Sequence, residues 1–112
     1  MIHTDDTTPG SLERFLDEQG LTLRLTARPE PWGTRWSATV PGILARIWHY
    51  EEWQWRAPGG TGGTKAKAIR EIASELSGAL IMIPTGRTRW FGLVNEYRTV
   101  AAGPLFPEEV PA

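Results

Sequence analysis

Pro58-Gly59-Gly60-Thr61-Gly62-Gly63-Thr64-Lys65-Ala66-Lys67 is the stretch on which the reading of this chain turns. The four glycines predict a loop, and Thr64 is placed to cap a helix running to Gly78. Ala66, Ile69, Ile72, Ala73 and Leu76 recur at helical spacing and form its apolar face. A helix N-terminus carries partial positive charge and unpaired N–H groups, so carboxylates are favoured in its first turn. Here that turn holds Lys65 and Lys67 and no acid, at a cost of about 0.3–1 kcal/mol each. Glycines that admit close backbone approach, free amides, the helix dipole and two lysines together make an anion site from Gly62, Gly63, Thr64, Lys65 and Lys67. A flexible linker followed by solubilising lysines is the competing reading. The stretch is neither a Walker A loop, because Gly63 is followed by Thr64, nor a dinucleotide-binding fingerprint, which needs a third glycine and a following acidic residue.

Outward from this centre, Ser11 predicts a first helix with Leu12, Phe15 and Leu16 on one face and Gly20 at its end. Leu21, Leu23 and Leu25 alternate with polar residues, as do Trp36, Ala38 and Val40 across the Pro29-Pro31-Gly33 turn. Each set reads as a half-buried strand. Ile43 to Tyr50 is a third strand, with Trp53-Gln54-Trp55-Arg56 returning as a short fourth. Beyond the second helix, Ala79 to Ile83 is a strand, Pro84-Thr85-Gly86 a turn, and Thr88 to Val94 the returning strand. The expected fold is α+β: an antiparallel sheet of three or four strands, two helices on one face in the order α-β-β-β-α, and a C-terminal β-hairpin. Residues 1–8 are expected to be a flexible acidic N-terminus, 9–102 a single domain, and 103–112 a disordered Pro-rich tail.

Gly60-Thr61-Gly62-Gly63-Thr64-Lys65-Ala66-Lys67-Ala68, then Ala73 and Leu76, resembles the loop and second helix of double-stranded RNA-binding domains, which read roughly GxGxSKKxAKxxAAxxxL. With the preceding helix and strands, the resemblance covers about residues 9–78. It implies a dsRBD-like fold and a phosphate contact by Lys65 across a groove. Ala66 and Ile69 stand at the family's second and third lysine positions, and Pro31-Trp32-Gly33 replaces its Gly-Pro-x-His loop.

The chain has 112 residues, the size of one domain, and no cysteine, which excludes disulfides, thiolate metal ligands and a cysteine nucleophile. Its net charge of −1 is unevenly spread. Residues 1–20 sum to −4, residues 99–112 to −2, and residues 21–98 carry eleven Lys/Arg against six Asp/Glu, or +5. A basic middle between acidic ends points to an anionic partner or to a mixed surface with acidic tails. His3 and His49 lack the spacing of a zinc site. No metal, cofactor or catalytic residue is expected. Glu51 and Glu52 point to opposite faces of a strand, His49 has no nucleophile beside it, and no serine sits in an elbow motif. No apolar run suits a bilayer and the acidic start is no signal peptide, so no membrane partner and a cytoplasmic location are expected.

Six tryptophans are many for this length. Trp36 is expected in the core. Trp48, Trp53 and Trp55 on adjacent strands, with Tyr50, Arg46 and Arg56 near them, suit a protein-binding surface or a stacking platform for bases. Trp90-Phe91 is expected to pack on the sheet or on a second copy of the chain, with a homodimer formed through the C-terminal hairpin. Two functions follow. One is a non-enzymatic nucleic-acid-binding module, meeting double-stranded RNA or DNA through Lys65, Lys67 and Arg70 with Arg87 and Arg89 of the hairpin. The other is a small interaction or inhibitor protein, of the sort phages direct at host machinery, acting through Trp48, Tyr50, Trp53, Trp55 and Arg56. Their discriminant is geometric: basic residues sharing a face favour the first, and scattered basic residues beside an exposed tryptophan patch favour the second.

Overall fold

In the computed structural model, which describes residues 10–106, Ser11 caps the first helix, its hydroxyl accepting from the Arg14 N–H at 3.4 Å. Ser11 also ends β1 (Gly10–Ser11), and the helix is α1 (Leu12–Glu18). Leu12, Phe15 and Leu16 are buried along one side of it, as their spacing predicts. β2 (Arg24–Glu30) and β3 (Gly33–Thr39) form the next hairpin, then β4 (Leu44–His49) and β5 (Glu52–Arg56) a second. β6 (Gly59–Gly62) leads into α2 (Lys65–Leu76). β7 (Leu80–Arg89), β8 (Val94–Ala101) and β9 (Leu105–Phe106) complete the chain. The fold is α+β, and its sheets are antiparallel except for the short parallel pair β1–β9.

Apart from β1 and β9, the strands divide between two sheets, one ordered β2-β3-β6 and the other β5-β4-β7-β8. In place of the single expected sheet there are two, the C-terminal hairpin is built into one of them, and the glycine stretch read as a loop is a strand. Gly62 and Gly60 stand opposite Trp36 and Ala38 of β3. Successive residues of a strand face alternate sides, so Gly60 and Gly62 share a face with Trp36 and Ala38. α2 packs on that face. A Cβ built on Gly60 would lie 2.3 Å from the Ala68 carbonyl oxygen and 2.6 Å from the Ile72 nitrogen. The helix backbone therefore occupies the space a side chain would need, and Ala68, at 0 % exposure, brings it closer still. On the edge of β6 the N–H of Gly59 donates to Glu75 Oε1 and that of Thr61 to Glu71 Oε2, both at 3.2 Å. α2 thus covers an edge that would otherwise be open.

One core of buried residues joins all of this. It takes Leu12, Phe15 and Leu16 from α1, Ala68, Ile69, Ile72, Ala73 and Leu76 from α2, Ala38, Val40, Ile43 and Ala45 from the strand region, and Ile81 and Ile83 from β7. Trp36 is half-buried against it. Arg98 of β8 donates to the Gln19 carbonyl at 3.1 Å and its side-chain oxygen at 2.6 Å, placing a cation at the C-terminus of α1.

The C-terminal hairpin also departs from its expected register. Pro84-Thr85-Gly86 is not its turn: β7 runs through it, and the chain reverses at residues 90–93. The register shifts between Pro84 and Thr88, and Gly86 has φ +84°. An irregularity in the ladder lets a strand carry a proline without losing a ladder hydrogen bond, and glycine adopts the left-handed turn at little cost. Arg87 and Arg89 consequently sit on the outgoing strand, not the returning one. Nor does the domain end at residue 102. Leu105 N–H donates to Ser77 Oγ at 2.9 Å, and β9 lies beside β1. Residues 1–8, and the tail beyond Phe106, fall outside the described residues.

Gly60→Ala is expected to destabilise the protein by about 3 kcal/mol or more in denaturant unfolding, because the clash is with helix backbone that cannot move aside. Gly59→Ala, whose Cβ meets only the Ala38 carbonyl at an ordinary 3.5 Å, should cost no more than about 1 kcal/mol.

Candidate functional site

The start of α2 brings Gly62, Gly63, Thr64, Lys65 and Lys67 together, as the sequence predicts, but the residues are already engaged. The Thr64 hydroxyl accepts from the Lys67 N–H at 3.1 Å. The Lys65 ammonium sits 4.8 Å from the centre of the Trp36 ring, a cation–π contact. The Lys67 stem packs where a Cβ on Gly62 would lie, within 2.7–2.8 Å of that position. Just before this site the amides of Gly59 and Thr61 are held by carboxylates of the same protein, Glu75 and Glu71. Lys67 and Glu71 line a shallow cleft with Trp32, Arg35, Thr61, Gly62 and Gly63, so a carboxylate stands among its cations. The Glu75 carboxyl is raised above its ordinary value of 4.5, first by burial and then by Glu71, with the Gly59 N–H and Arg56 opposing.

The other predicted cations are elsewhere. Arg70 lines a different cleft, with Ala73, Ser74, Ser77, Leu105 and Phe106. Arg87 and Arg89 belong to the four-stranded sheet, where Arg89 pairs with Glu96 at 3.5 Å. The five basic residues are thus spread over three places.

The tryptophans, by contrast, converge. Trp48 faces Trp53 across the β4–β5 ladder and Arg46 faces Trp55. Directly opposed residues of an antiparallel pair share a face. Trp48 and Trp53 meet edge to face at 5.3 Å between ring centres, and the Arg46 guanidinium lies 5.5 Å from the Trp53 ring. The same face continues through Leu44, which opposes Met82, and then to Thr99 of β8. Leu80 is on it by alternation from Met82. The reverse face holds Ala45, Ile81 and Ile83 and is buried in the core. The outer face is not covered: Trp48, Trp53 and Trp55 are 58 %, 56 % and 42 % exposed, and Leu80 is also exposed.

Two assignments change with the register. Arg56 opposes Ala45, so it belongs to the core side of the hairpin, where it donates to Gln54 at 3.1 Å. Arg46 is the cation of the aromatic cluster instead. Tyr50 sits in the two-residue turn at the tip, 84 % exposed. Leu44, Leu80 and Met82 were not among the expected site residues. Their signal was present as the alternation of the strands, but which face points outward depends on the pairing of β4 with β7, distant in sequence. Among the described residues no group of three or more His, Asp or Glu could hold a metal ion, and no helix is long and apolar enough to cross a membrane.

No family model, no curated protein and no solved structure matches this chain.

Glu75→Gln tests the internal capping of β6. A carboxyl whose folded pKa lies above its unfolded one stabilises most below the ordinary value, and that stability is lost as pH rises through the raised value. Glutamine keeps the acceptor for Gly59 without the buried charge. The melting temperature of the variant relative to the wild type is therefore expected to rise between pH 4 and pH 7, and an unchanged difference would show that burial of the charge carries no strain.

Proposed function

We propose that this chain is a non-enzymatic protein-interaction module that docks through the outer face of its four-stranded sheet. The observation that carries the reading is a contiguous apolar face of Leu44, Trp48, Trp53, Trp55, Leu80 and Met82, with Arg46 inside it, left open to solvent on a sheet whose reverse side is the core. Isolated exposed apolar residues are ordinary, but a continuous patch of aromatics with an arginine has the composition of binding hot spots. The Trp48 and Trp53 rings are held by cross-strand stacking and cation–π contact, so little of their side-chain freedom remains to be lost on binding. A protein surface with apolar pockets for the indoles and an acceptor for the Arg46 guanidinium matches this chemistry.

Nucleic-acid binding is the second reading. What favours it is Lys65 over the Trp36 ring, an aromatic topped by a cation, with Lys67 and Arg35 lining the cleft nearby. What weighs against it is Glu71 in the same cleft and the separation of Arg70, Arg87 and Arg89 from it.

A photo-cross-linking residue in place of Trp55, activated in cells that produce the protein naturally, should yield a protein adduct of higher mass. The same residue at Arg14, on the exposed side of α1, should yield none. Fluorescence anisotropy with an RNA duplex of about 20 base pairs separates the second reading. Salt-sensitive binding lost in Lys65→Glu/Lys67→Glu, together with no adduct from Trp55, would reverse the proposal.

A further inference from the structure

The four-stranded sheet is two hairpins joined at their roots. β4 meets β7 only through Leu44–Met82 and Ala45–Ile81. Because the pairing is antiparallel, the hairpins leave this junction in opposite directions. From Leu44 to Tyr50 is about 20 Å of strand, and from Met82 to Trp90 about 26 Å. A radius of gyration of 15.6 Å, against about 13 Å for a compact chain of this size, reflects these arms.

Their tips differ in chemistry. The β4–β5 tip carries Glu51 and Glu52 beside the Trp48–Trp53 pair. The β7–β8 tip is Trp90-Phe91-Gly92-Leu93, with Arg87 and Arg89 on the strand leading to it. Trp90 and Phe91 are 73 % and 104 % exposed, so they do not pack on the sheet of their own chain. Among the described residues, the only non-glycine residues with positive φ are at these two tips: Tyr50 at 51°, Glu51 at 62°, Trp90 at 56° and Phe91 at 57°. Bulky residues are strained in that region, where asparagine and glycine are at ease. The β7–β8 turn therefore holds two aromatic rings in water at positions better suited to small residues, and strain of this kind gathers at functional sites.

We propose that the occupant of the tryptophan face is the β7–β8 arm of a second copy of this chain. The inference rests on the proposed docking role of that face and names its partner. Within one chain the apolar tip and the apolar face cannot meet, since the arms point apart. Between two chains they can. A two-fold axis running across the strands between two such faces stacks them with strands antiparallel and lays each long arm along the other chain's β4–β5 hairpin. Both contacts then form at once, because the same separation is repeated in each copy. Trp90, Phe91 and Leu93 of each arm then meet Trp48 and Trp53 of the other chain, with Arg87 and Arg89 lying toward the root of that hairpin.

Sedimentation velocity of the purified full chain across the micromolar range tests this. The wild type is expected to sediment as a dimer. Trp90→Asn/Phe91→Gly removes the apolar tip while giving the turn residues that suit positive φ, so its fold should persist in circular dichroism. Trp53→Thr/Trp55→Thr removes part of the face with residues suited to an exposed strand. Each variant alone should dimerise at least about thirtyfold more weakly. An equimolar mixture should regain dimer, since the arm of one variant still finds the face of the other. A wild-type monomer, a dimer indifferent to either variant, or a mixture without recovery would each overturn the proposal. If a monomeric wild type still cross-links through Trp55 to a different protein, the docking role stands and the self-pairing falls. If it gives neither dimer nor adduct, both fall. A monomer that sediments with anionic phospholipid vesicles, and loses this in Trp90→Asn/Phe91→Gly, would assign the arm to a membrane surface instead.

Discussion

The backbone of α2 rests on a strand face that has no side chains, and much of the remaining structure follows from that seat. Gly60 and Gly62 let the helix come close enough for Ala68 and Ile72 to touch β6 directly. At that distance Glu71 and Glu75 reach the amides of Thr61 and Gly59 and close the sheet edge. The third place in the β2–β3 sheet is then taken by four residues, three of them glycine. The chain between Thr39 and Gly59 is left to find another partner, and it does so as the β4–β5 hairpin, joined to β7. The division into two sheets is thus a consequence of helix packing.

That division also explains why an apolar face is uncovered. Each sheet has one side turned to the common core. The helices contribute to that core, and among the described residues no element remains for the outer side of β5-β4-β7-β8. The two hairpins are held together by two residue pairs, so their distal parts draw stability mainly from their own ladders and cross-strand pairs. Trp48 against Trp53, with Arg46 over the ring, stiffens one of them locally.

Local pattern made much of this legible in the sequence. Ser11 and Thr64 cap the helices as expected, and the apolar spacing of Leu12, Phe15 and Leu16 and of Ile69, Ile72, Ala73 and Leu76 identifies the buried faces. The one exchange is that Ala68 rather than Ala66 is fully buried. What could not be read locally was decided by distant partners. Glycine at alternate positions has the period of a strand, but without a helix to receive it the run looks like a loop. Pro84-Thr85-Gly86 has the residues of a turn and is a ladder irregularity because Tyr97 and Asn95 continue the pairing beyond it. The tryptophan surface was legible as residue types, but its cation was not. Arg46 and Arg56 are indistinguishable until the register places one opposite Trp55 and the other opposite Ala45.

The parallel pair β1–β9 sets Gly10 beside Leu105, so the two ends of the described chain meet at one spot. A domain tethered in this way hangs from flanking polypeptide as a pendant. It can be carried within a loop of a larger architecture without forcing the two attachment points apart. Because the two strands run the same way, tension on the flanking segments slides one along the other, so the load falls on their hydrogen bonds together rather than one after another. The hinge of the pendant is also its clasp.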